Sequence, residues 1–166
     1  MAQPVWIIDT SSIIAVRRLP VDSYKKAAIF RRMGALVEAN RLVFPKEAVK
    51  ELERFADPNS PDEQYEWAAR YESEACKNEP SLEEVRDVLA KVPKVLDPDK
   101  DTGADEADPY VLAMALRLRN EGEDARVVTQ ERRETPAKMS LGTAAGLLGL
   151  PAVPLEAFLE YEGIDC

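Results

Sequence analysis

The chain has 166 residues, 45% of them hydrophobic and 32% charged, which suits one domain over residues 1–166 with its own core and leaves little room for a second. Its 31 acids against 22 bases give a net charge of −9, which argues against loose attachment to nucleic acid through a basic face but not against an acidic site that holds cations. Histidine is absent, so histidine triads, histidine acid–base chemistry and ordinary zinc centres are excluded.

The first element is a strand, Val5–Ile8 (VWII). Asp9–Ser12 forms a turn able to cap a short helix through about Arg17, which Pro20 stops. Asp22 or Ser23 caps an amphipathic helix with Ala27, Phe30, Met33, Ala35, Leu36 and Val37 among its apolar positions. Arg41–Phe44 reads as a second strand, and Pro45 suits the first turn of the helix that follows, PKEAVKELERFA. DPNSP breaks that helix, and DEQYEWAARYESEACKN forms another, whose Tyr65, Trp67, Ala68 and Tyr71 offer either a partner surface or core packing. Ser81 and Glu84 make a capping box ahead of LEEVRDVLAKV. After the loop PDKDTG, a helix is expected from about Asp105 to Arg119, then a third strand, Arg126–Thr129, of the buried parallel type. Ser140–Leu148 reads as a small-residue helix, PAV as a short connecting segment, and Leu155–Tyr161 as the last helix.

Strands alternating with helices predict an α/β fold with a parallel sheet. No apolar run is long enough to span a membrane, and the N-terminus has neither a basic region nor a cleavable apolar stretch. Cys76 and Cys166 match no metal-ligand spacing, so the expectation is a cytoplasmic protein with reduced thiols.

Ligands of open parallel sheets bind beyond the carboxyl ends of the strands. Acids stand at those places here: Asp9 after the first strand, Glu47 and Glu51 one helical turn after the second, Glu131 after the third, and Asp105, Glu106 and Asp108 at the mouth of an otherwise apolar helix. Each has an ordinary alternative as a cap, a dipole partner or a solvated charge. Together they would repel strongly unless cations sat between them. DPDKDTGADEAD approaches a calcium loop, but its glycine comes one place late, its last position is Asp108 rather than glutamate, and Pro98 interrupts it. A haloacid-dehalogenase-type phosphatase would need a second Asp two residues after Asp9, where Ser11 stands.

IIDTSSII, VKELERF, ADPYVLAMA and VVTQE, in this order, resemble the successive motifs of PIN domains, and most closely the prokaryotic branch that includes VapC-type toxin ribonucleases. The resemblance implies a three-layer PIN-like fold, with a central parallel sheet flanked by helices. It also implies a Mg2+- or Mn2+-dependent endoribonuclease, a hydrolase acting as the toxin of a toxin–antitoxin pair. A DNA-directed nuclease and a non-catalytic nucleic-acid or protein-binding module are the alternatives. Asp9, Glu51, Asp108 and Glu131 take the family's acidic positions, with Ser11 beside the first and Asp105 at a position acidic only in some branches. Where many members have Asp or Asn, this chain has Glu131. Metal contacts are expected from Asp9, Asp108, Glu131 and Asp105, and phosphate positioning from Arg132 and Arg133 or from Arg17 and Arg18. RNA, an antitoxin and a second copy of the chain are the expected partners, and a membrane is not. No histidine being present, oxygen ligands suit magnesium or manganese.

Overall fold

The computed structural model describes residues 3–56, 59, 62–97, 106–131 and 134–166. Among the described residues, four strands, β1 (Val5–Ile8), β2 (Leu42–Val43), β3 (Ala125–Val128) and β4 (Ala152–Val153), pair in the order β2-β1-β3-β4, all parallel. The helices among the described residues are α1 (Thr10–Arg17), α2 (Ser23–Glu38), α3 (Lys46–Phe55), α4 (Glu63–Ala75), α5 (Leu82–Lys91), α6 (Asp108–Asn120), α7 (Leu141–Leu147) and α8 (Leu155–Tyr161), with a 3-10 turn at Pro93–Val95. None of the described helices is long and apolar enough to cross a membrane.

The alternation of side chains along β1 sorts these helices into two layers. Trp6 and Ile8 pack with Ile13 and Val16 of α1, Ile29 and Met33 of α2, Leu52 of α3 and Phe158 of α8. Val5 and Ile7 pack on the opposite face with Val85 and Val88 of α5, Leu112 and Met114 of α6 and Leu141 of α7. With both faces covered, the strand is a continuous apolar run rather than an alternating one. The result is the expected three-layer α/β arrangement, a parallel sheet between helices.

The largest differences from the sequence expectation are three. β2 is confined to two residues, the pair that registers with Trp6 and Ile7 of β1. PAV contains a fourth strand, paired to Val127 and Val128 of β3. Helix α6 starts at Asp108, so Glu106 precedes the helix rather than opening it, while Asp105 lies outside the described residues.

Of the aromatic residues of α4, Trp67 belongs to the core, and Tyr65 and Tyr71 pack against it partly buried. Trp67 and Ala68 are buried, and the Trp67 indole N–H donates to the Phe30 carbonyl at 2.8 Å. Tyr71 lies against Gly34 of α2, where an added Cβ would overlap its ring, so glycine at this mid-helix position permits the close approach of α4. Trp67 and Ala68 are therefore spent on this domain's own packing and offer no partner surface. Both cysteines are free, and burial pushes the Cys76 thiol up while it donates to the Phe44 carbonyl.

The C-terminal end is clasped to the sheet by Glu162. Its carboxylate accepts from the Trp6 indole N–H at 2.7 Å and from both terminal nitrogens of Arg41 at 2.7 and 2.5 Å. Replacing Glu162 by Ala leaves a largely buried guanidinium and an indole N–H without this acceptor. Urea denaturation is expected to show a loss of about 2–3 kcal/mol, the range for hydrogen bonds to charged groups.

Candidate active site

The register of two strands creates the site. Ile8 pairs with Val128, so Asp9 and Thr129 leave the sheet side by side. Because β2 flanks β1 on one side and β3 on the other, this is where the strand order reverses, the crevice in which open parallel sheets bind ligands. The Asp9 amide still donates to the Val128 carbonyl, at 3.1 Å.

Asp9 serves as the N-cap of α1. Its backbone is extended, and its carboxylate accepts from the Ser12 amide at 2.9 Å. The Ser11 hydroxyl donates to both carboxylate oxygens, at 2.9 and 2.8 Å, and the Thr129 hydroxyl donates to one of them at 2.5 Å. Burial pushes the Asp9 carboxyl above the ordinary carboxylate range, while the donors from Thr129, Ser12 and Ser11 pull it back. The same hydroxyls fix the chain after β3: Thr129 accepts from the Glu131 amide at 3.0 Å, and Ser11 accepts from the Gln130 amide at 3.2 Å.

Asp108 enters from the first turn of α6. Burial raises its carboxyl well above the ordinary range, and the neighbouring Glu131 and Asp9 raise it further, while Lys138 opposes them. The Lys138 ammonium lies 3.4 Å from Asp108 and 2.9 Å from Glu131. Glu51 is buried on α3, and its carboxylate accepts from the Ala107 amide at 2.6 Å, which ties α3 to the start of α6. That bond makes Glu51 a fixed strut at the mouth of α6 as well as a wall of the site.

These side chains surround one cleft of about 260 Å³, whose lining includes Asp9, Ser11, Glu51, Asp97, Glu106, Asp108, Glu131 and Lys138. Of the sequence candidates, Asp9, Ser11, Glu51, Glu106, Asp108 and Glu131 come together. Glu47 does not; it is buried elsewhere, with its carboxyl raised by burial and by the charge of Glu79. Arg17 is turned toward α4, where it meets Gln64 at 3.3 Å and Asp62 at 3.8 Å, and neither it nor Arg18 lines the cleft. Asp105, Arg132 and Arg133, and most of the calcium-loop-like segment, lie outside the described residues.

Two residues escaped the sequence reading. Thr129 was only the last residue of a strand, and nothing local marks its hydroxyl as the partner of a carboxylate 120 positions away. Lys138 follows Thr-Pro-Ala in a loop and carries no motif. Its one signal is that the described cleft needs a cation.

The donor set suits a hard divalent cation. Asp9, Asp108 and Glu131 supply only oxygen, and their mutual repulsion favours a positive charge between them. The Thr10 hydroxyl, buried in the same lining, has no hydrogen-bond partner among the described residues. Among the described residues, no three acidic side chains already stand as a closed cage.

No curated protein matches the sequence significantly. Residues 6–166 match the family DUF4411, described as a domain of unknown function. Since the match spans nearly the whole chain, this protein belongs to the DUF4411 family.

Proposed function

We propose that the protein is a Mg2+- or Mn2+-dependent nuclease of PIN type, acting on RNA in the cytoplasm as the toxin of a toxin–antitoxin pair. The observation that carries the reading is the meeting of Asp9, Asp108 and Glu131, from three separate segments, in one cleft at the strand-order reversal. These three carboxylates share the cleft with a single lysine among the described residues, Asp9 is buried, and burial and the neighbouring acids hold the Asp108 carboxyl well above its ordinary range, a perturbation that clusters at functional sites. The order of sequence motifs supports the PIN assignment and the preference for RNA.

Asp9 and Asp108 would hold the ion, with Glu131 as a third, outer oxygen. A bound divalent ion supplies charge neutralisation for the scissile phosphate and a nucleophile at neutral pH, without histidine. The chain's own groups prepare the place. Ser11, Ser12 and Thr129 aim and partly stabilise the Asp9 carboxylate. Glu51 holds the backbone just before Asp108, which sets where that carboxylate enters the cleft. The Thr129 hydroxyl also holds the Glu131 amide, so one side chain aligns two of the acids.

The test is a cleavage assay on a mixed RNA panel and on single- and double-stranded DNA, with magnesium, manganese or EDTA. Cleavage of RNA that stops in EDTA is expected. Glu131→Gln should slow it about tenfold, less than loss of Asp9, because its longer side chain acts from the outer position. Metal-dependent cleavage of DNA alone would move the assignment to a DNA nuclease, and no cleavage of either would leave a binding module.

A further inference from the structure

The geometry points to Lys138 as a built-in counter-cation that competes with the divalent ion by engaging Asp108, one of the ion's two proposed ligands, and Glu131, its outer oxygen, and that swings out into the cleft when the ion enters. The inference rests on the cleft being a divalent-cation site, as proposed above.

Its ammonium lies 2.9 Å from Glu131 and 3.4 Å from Asp108, with the Met139 carbonyl 2.9 Å away, and its side chain is 17% exposed. A lysine in that position satisfies the two acids whose repulsion the fold would otherwise leave uncompensated. It also bars a dication from the same oxygens, since one pair of carboxylates cannot serve both cations at full strength.

Only the side chain has to move. The backbone at Lys138 is pinned by reciprocal hydrogen bonds with Thr135, at 3.0 and 3.3 Å, and by a bond from its amide to the Thr135 hydroxyl at 3.0 Å. The next residue is held too, with the Met139 amide donating to the Lys94 carbonyl at 2.6 Å. Lysine carries a compact charge on a flexible four-carbon stem, so exchange needs rotamer changes and no loop rearrangement. Lys138 is thus a competitor that sets the affinity of the site for the ion.

The experiment titrates Mn2+, followed by electron paramagnetic resonance of the free ion, into the wild-type chain, Lys138→Met and Lys138→Arg. Lys138→Met is expected to bind Mn2+ about tenfold more tightly, equivalent to about 1.4 kcal/mol, and to melt below wild type in EDTA, with the gap closing at saturating Mn2+. Lys138→Arg, which keeps the charge, should not gain affinity. On the wild-type protein, acetylation of the Lys138 amine by a water-soluble active ester, read by peptide mass spectrometry, should rise several-fold on adding Mn2+, with Lys91 as the remote reference. Mn2+ affinity unchanged or weakened in Lys138→Met, or Lys138 labelling that does not rise while wild type binds Mn2+, overturns the inference alone. Failure of every form of the protein to bind Mn2+ overturns it together with the metal-dependent reading.

Discussion

Asp9→Asn is expected to abolish metal-dependent cleavage, by about 10²–10³-fold or more, while the metal-free protein keeps or gains stability. Asparagine retains an oxygen that can accept from the Ser12 amide, and it is as good an N-cap as aspartate, so α1 keeps its start. The Thr129 and Ser11 hydroxyls can rotate to meet the new amide. What disappears is a buried negative charge near Asp108, and with it the full charge of a proposed oxygen ligand. Cleavage rates beside melting curves in EDTA separate the two effects. A large drop in metal-free melting temperature would make Asp9 chiefly a structural cap.

The same substitution has a pH signature. Asp9 and Asp108 are both raised above the ordinary carboxylate range by burial, so the folded state takes up their protons at higher pH than the unfolded chain does. The metal-free protein should therefore gain stability as pH falls from neutral through these raised values, levelling off near the ordinary carboxylate value of about 4. Asp9→Asn should flatten that rise. Glu84, Asp124 and Glu134 are lowered instead, by hydrogen bonds from Ser81, from Arg126, and from Thr143 and Ser140 respectively. They are largely solvent-screened and act in the opposite sense, losing their contribution only below the ordinary carboxylate range. Melting temperatures in EDTA between pH 4 and pH 7 decide the matter, and a decline over the whole window would contradict it.

Trp67→Ala is expected to destabilise the chain by about 3–5 kcal/mol, the cost of deleting a large buried aromatic side chain. The ring sits 5.6 Å from both Phe30 and Phe44 and 5.7 Å from Tyr71, centroid to centroid, so one side chain joins α2, the segment after β2, and α4. Its removal also leaves the buried Phe30 carbonyl without the indole donor. In a domain of this size the melting temperature should fall by on the order of 10 °C. Trp67→Phe keeps most of the packing and should lose much less. A Trp67→Ala chain as stable as wild type would return this residue to the surface and reopen its use as a partner contact.

Much of the architecture was written locally. VWII needs both faces covered, because a strand with one wet face would alternate, and strands alternating with helices pointed to a parallel sheet. Capping is a matter of a few adjacent residues, so Asp9, Asp22 and the box formed by Ser81 and Glu84 could be read before any tertiary contact was known. The candidate acids were legible because strand ends point to one edge of such a sheet, so the positions that follow them share a neighbourhood. Short pairings were not legible. β4 has two residues and exists only because β3 offers it an unpaired edge. Helical periodicity showed that α4 buries a face, but not against what, and Trp67 went to this domain's own core. Thr129 and Lys138 became site residues only when the fold placed a hydroxyl beside Asp9 and an ammonium between Asp108 and Glu131. Where negative charge gathers is legible along the chain; which hydrogen-bond donors and which cation answer it is not, because those partners are chosen by proximity in space and not by spacing in the sequence.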